Sequence, residues 1–115
     1  AAYSFVLSRS QEYEADRVAV NATGVNHMAN ALIRLDLEVD TYHRYWGTVW
    51  DEAEHQAAPS IMPFENMATA FAQSSRCRDA EALDRAISLK SDLNDTHPSL
   101  ADRLQAMDAG QTLPE

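Results

Sequence analysis

The stretch SRSQEYEADRVAV, Ser8 to Val20, sets two carboxylates, Glu12 and Asp16, one helical turn apart in a segment otherwise suited to a buried helix. Wound at about 100° per residue, it gathers Ser8, Glu12, Ala15, Asp16, Ala19 and Ala22 into one arc and sends Ser10, Glu14, Arg17 and Asn21 to the opposite side. Small side chains in that arc admit a close neighbour. A carboxylate pressed against a neighbour needs a cation, a metal or several hydrogen bonds, or it stays protonated. Three readings are open. The acids pair with Arg9 or Arg17, or remain in water; they form a like-charge pair for acid–base chemistry, although no second such group lies close in sequence; or one binds a metal while the other orients a further ligand.

Working outward, the helix around this stretch is expected from about Ala2 to Thr23, ended by Gly24, with Asn26 offering a side-chain oxygen to start the next. Helix two carries Met28, Leu32, Leu35, Val39, Tyr42, Trp46 and Val49 at alternating four- and three-residue steps, a seam expected to lie on the domain's own core. Tyr42, Tyr45, Trp46 and Trp50 form an aromatic cluster on it, and Gly47 is a site for a bend or an end to its regular part. Pro59 and Pro63 bracket the connector SIM. A third helix over about Phe64 to Ser74 presents Phe64, Met67, Ala68 and Phe71. Asp79 is expected to cap a fourth, bearing Leu83, Ala86, Ile87 and Lys90. Ser99, with Asp102 three residues on as in a capping box, opens a fifth whose apolar edge is Leu100, Leu104 and Met107. The expected class is all-α, a bundle of about five helices, divided as 1–24, 25–58, 59–95 and 96–108.

Composition narrows the function. The 115 residues are of single-domain size, and 9 Lys+Arg against 18 Asp+Glu give a formal charge of -9, which supplies no basic surface for nucleic acid or anionic lipid. The one cysteine, Cys77, forms no internal disulfide and reads as an incidental thiol in the polar linker SSRCRD, while the tail GQTLPE is expected to fray. No run approaches the ~20 apolar residues of a membrane-spanning helix, so this piece is expected to be soluble. It opens at Ala1 inside an apolar, helix-compatible run, which leads to the expectation of a piece of a longer protein.

Two motifs carry a resemblance. Ser8–Asp16, S-R-x-x-E-Y-x-A-D, resembles the signature that follows the HExxH helix in the HtpX-like membrane zinc metallopeptidases, relatives of the CAAX prenyl proteases. Residues Thr96 to Leu104, T-H-P-S-x-x-x-R-L, resemble the C-terminal box of the same family, in the same order. The resemblance covers roughly the first 24 and last 20 residues and implies the C-terminal part of a gluzincin-type peptidase domain. It implies Glu12 as the glutamate ligand of zinc, Asp16 as a hydrogen-bond partner of a zinc-binding histidine, His97 as support for the tetrahedral oxyanion or, alternatively, as a helix-entry histidine bonding backbone, and Arg103 as a structural brace. The implied substrate is a peptide or protein, and the implied parent is an integral membrane protein with a cytoplasmic-facing protease domain.

The chain contains no HExxH: none of His27, His43, His55 and His97 has a second histidine four residues away. Zinc held by one glutamate would bind weakly and lack a base, so the piece alone is expected to be inactive and without zinc. Its uncovered Ser/Ala/Glu/Asp face is expected to lead to a homodimer or a rearranged bundle. The competing reading is a non-catalytic helical interaction module using the aromatic seam.

Overall fold

Five helices make up the regular structure of residues 2–58, 62–74 and 79–108, which the computed structural model describes: α1 (Ala2–Thr23), α2 (Val25–His55), α3 (Pro63–Ala72), α4 (Ala80–Ser88) and α5 (Leu100–Ala106). No strand occurs among the described residues, so the class is all-α as expected. Cys77, most of the linker around it, Pro59 and the tail lie outside the described residues.

Gly24 makes the α1–α2 junction. At φ 89° and ψ 154° its backbone occupies a region open essentially to glycine, yet its N–H still donates to the Val20 carbonyl at 2.8 Å and its carbonyl accepts from Met28 N–H at 3.2 Å. One residue therefore redirects the chain. Because α2 restarts at Val25 with Gly24 itself as its cap and no side-chain capping bond, the expectation that Asn26 caps this helix is corrected.

Helix α2, about 46 Å long at 1.5 Å per residue, spans most of the 49 Å longest dimension. It runs through Gly47 without interruption to His55, short of the residue 58 expected. Its buried face differs from the expected seam: Ala29, Leu32, Ile33, Leu37, Thr41 and Val49 are buried, while Leu35, Val39 and Tyr42 are 70%, 45% and 46% exposed. The four-residue step Ala29, Ile33, Leu37, Thr41 won because α4 and α5 dock on that side, contributing Ala82, Leu83, Leu100 and Leu104 to one core with α2. Ile33 and Leu104 are fully enclosed, each worth about 1.5–3 kcal/mol of burial.

Farther along α2, Trp46 packs against Tyr42, Tyr45, Trp50 and Phe64 of α3 at centroid separations of 6.3, 5.9, 6.4 and 6.0 Å. The Tyr45 hydroxyl donates to the Pro63 carbonyl at the start of α3, and Thr41 and Ser74 share a hydroxyl contact of 3.1 Å. Helix α3 buries no residue fully, and Phe64 is 77% exposed, so the expected apolar face of α3 is only partly covered.

Local signals set the last two helices. Asp79 Oδ1 accepts from Glu81 N–H at 3.0 Å and Ala82 N–H at 3.3 Å, and the Ser99 hydroxyl accepts from Asp102 N–H at 3.2 Å. Lys90 falls beyond the end of α4 at Ser88 and is exposed.

Among its described residues, helix α1 contributes no buried apolar side chain to the core. The one buried side chain among them is that of Asp16, at 2% exposure, and Tyr3, Val6, Leu7 and Val18 face solvent. Polar contacts join α1 to the segment 92–103.

Candidate functional site

Three residues on one edge of α1, Arg9, Glu12 and Asp16, follow at steps of three and four and so project to the same side. Each holds a different part of the segment 92–103.

Asp16 is engaged by α5. Arg103 Nε donates to Oδ2 at 2.8 Å and Nη2 to Oδ1 at 2.6 Å, a two-pronged contact that satisfies a carboxylate removed from water. Hydrogen bonding to Asp16 is the main cause holding the Arg103 guanidinium above its ordinary pKa; burial opposes it, and the charges of Asp16 and Glu12 add to it. The remaining arm, Nη1, lies 3.5 Å from Glu12 Oε2, so one cation spans both acids of the opening stretch. Arg9 and Arg17 are not their partners: Arg17 pairs with Glu14 on the exposed side at 2.5 Å, and Arg9 reaches elsewhere.

Glu12 is engaged by the loop before α5. Its Oε1 accepts a hydrogen bond from His97 Nδ1, an assignment that places a ring proton on Nδ1 because a carboxylate only accepts. The imidazole is otherwise open, its side chain 74% exposed against 25% for Glu12. Its Nε2 is therefore the nitrogen left for another partner.

Arg9 holds the start of the same loop. Its Nη1 donates to the carbonyls of Asp92 and Asp95, both at 2.9 Å, with Leu93 O at 3.4 Å. Within the loop, Asp92 N–H donates to Asp95 Oδ2 at 2.6 Å. Ser91 N–H donates to Asp102 Oδ2 at 3.2 Å, and Ser99 N–H donates to the Ser91 hydroxyl at 2.7 Å. These bonds to Ser91, through side chain and backbone, hold the Asp102 carboxyl below the usual range. The expected capping box is thus half formed: Ser99 caps Asp102 N–H, but Asp102 turns its own carboxylate to Ser91.

A groove of about 430 Å³ opens beside this cluster between α2 and α5. Leu32, Leu35, Val39, Pro98 and Leu100 line it, with His97 and Arg103 on its wall. Leu35 and Val39 thus find a use as groove lining rather than core.

All four residues singled out from the sequence, Glu12, Asp16, His97 and Arg103, meet in one cluster although the two pairs lie more than 80 positions apart. Sequence reading missed Arg9 as the holder of the loop and Ser91 as its inner hub. The i, i+3 placement of Arg9 before Glu12 was the available signal; Ser91 had none. Among the described residues no group of three His, Cys, Asp or Glu side chains converges to hold a metal, and Glu12 offers one carboxylate.

No curated protein and no solved structure matches the chain. The family model described as Peptidase family M48 matches residues 1–111, nearly the whole chain and both ends of the cluster. The chain belongs to peptidase family M48.

Proposed function

We propose that residues 1–115 form the C-terminal part of a zinc metalloendopeptidase of the HtpX-like type, with Glu12 as the carboxylate ligand of the metal. The observation that carries this is the convergence of Glu12, Asp16, His97 and Arg103 from opposite ends of a chain of a peptidase family. Among the described residues the cluster fits zinc as the source of one ligand, Glu12. On this reading two imidazoles and a general-base carboxylate come from a segment outside residues 1–115, and Ala15 and Ala22, exposed on the Glu12 side of α1, leave room for it. Without that segment the chain is inactive. Bound zinc supplies Lewis acidity and a water acidic enough to attack near neutral pH.

The chain's own residues do the rest. Arg103 holds Asp16 and lies beside Glu12, fixing both carboxylates before any ligand arrives. Asp16 spends one lone pair of each oxygen on Arg103, which leaves acceptor capacity to orient an incoming imidazole N–H. His97, anchored through Nδ1, presents Nε2 outward, and as the imidazolium it donates from there to an oxyanion. A peptide reaches the cluster along the groove beside His97. No helix among the described residues is long and apolar enough to cross a membrane, so the membrane helices typical of HtpX-like proteins would also lie outside them.

The test is Glu12→Gln in the full-length protein, with zinc content and peptide cleavage measured together. Both should fall to background, whereas Glu14→Gln, on the exposed side of α1, should change neither. Full activity with Glu12→Gln removes the assignment. A second reading, a non-catalytic helical interaction module, is favoured by the exposed Leu35, Val39, Tyr42 and Trp50 edge of α2. It predicts no zinc-dependent cleavage by the full-length protein at all.

A further inference from the structure

We infer that Arg9 is a positioning residue for His97, resting on the reading above that His97 serves the reaction. His97 sits on a loop with no regular structure of its own, between Ser88, the end of α4, and Leu100, the start of α5. A loop carrying a functional side chain must be held by bonds from a rigid element, or its side chain samples many positions. Three sets of bonds hold this one. Asp102 and Ser99 tie it to α5 through Ser91, which fixes the ends of residues 91–99 relative to each other. The internal Asp92 and Asp95 bonds fold it into a turn. Neither of these refers the loop to α1, where Glu12 sits.

Arg9 does. Its guanidinium lies one helical turn before Glu12 and takes the carbonyls of Asp92 and Asp95, five and two residues upstream of His97. The donor and the carboxylate that receives His97 are thus carried on the same rigid helix, so the separation of loop and Glu12 is set by three residues of α helix. A planar guanidinium on a long stem suits this task, because it reaches across the helix–loop gap and offers N–H groups in a fixed plane to these carbonyls. The Asp16–Arg103 contact fixes α5 to α1 farther along, and Ser91 ties the ends of the loop to α5, but neither set of bonds joins residues 92–95 to α1. Arg9 supplies that link.

The experiment compares Arg9→Met, Arg9→Lys, His97→Ala and the double variant Arg9→Met/His97→Ala. In the 115-residue chain, side-chain nitrogen NMR of His97 is expected to move in Arg9→Met from the signature of Nδ1 hydrogen-bonded to Glu12 to that of a free histidine. The α5 amides should stay protected from exchange. In the full-length enzyme kcat should fall about tenfold in Arg9→Met with KM and zinc content unchanged, and be partly restored in Arg9→Lys. In the His97→Ala background the same change should cost less than twofold, because a residue acting through His97 has nothing left to position. Unchanged His97 resonances in Arg9→Met, or equal losses with and without His97, would overturn the inference. If His97→Ala leaves kcat untouched while Arg9→Met still releases the His97 ring, the inference stands and the catalytic reading of His97 fails.

Discussion

Arg103 of α5 meets Asp16 of α1 through two parallel N–H to carboxylate bonds across 87 positions of sequence. It engages a helix that, among its described residues, gives no buried apolar side chain to the core. A bidentate, desolvated pair of this kind adds geometric definition, and its removal exposes the cost of the buried charge left behind.

Arg103→Met should therefore destabilise the chain by about 3–5 kcal/mol, since it strands a carboxylate that is 2% exposed. Arg103→Lys should recover only part of that, because an ammonium cannot reproduce the fork. Urea unfolding followed by circular dichroism reads the difference, and a loss below about 1 kcal/mol for Arg103→Met would show that α1 is held by something else.

On α2 the two faces should respond oppositely to truncation. Ile33, fully enclosed, should cost about 2–5 kcal/mol on replacement by Ala, whereas Leu35, at 70% exposure, should stay within about 0.5 kcal/mol. Equal costs would mean that the heptad seam, rather than the Ala29–Ile33–Leu37 face, is buried in solution.

Asp102 supplies a pH signature. Its carboxyl is held low in the folded chain by hydrogen bonds from Ser91, so its contribution is present above the ordinary carboxylate range near pH 4 and is lost as pH falls through the lower folded value. Asp102→Asn should lower stability at pH 7 and flatten the decline in unfolding free energy as pH falls from about 5 through the ordinary carboxylate range. A variant curve parallel to the parent's over that interval would remove Asp102 from the acid response.

Much of this was readable before any folding. The stop of α1 at Thr23, the Asp79 and Ser99 caps and the two motif pairs all depend on a few consecutive residues and their backbone preferences. The acids of Ser8–Val20 were legible as a site needing partners. The identity of the partner was not: Arg9 and Arg17 lay nearest in sequence, yet Arg17 turned to Glu14, Arg9 took loop carbonyls, and the cation came from α5.

The amino-acid order by itself determined the five helices, the stop of α1, the starts of α4 and α5, and that the face of α1 bearing Glu12 and Asp16 required charge compensation, because capping, glycine backbone freedom and helical periodicity act within a turn or two. Only the tertiary structure decided which stripe of α2 is buried, which arginine answers Asp16, and that His97 comes to rest on Glu12. Those outcomes depend on where α4, α5 and the 92–97 loop dock. Docking is settled by the summed burial and hydrogen bonding of elements tens of residues apart, which no local pattern encodes.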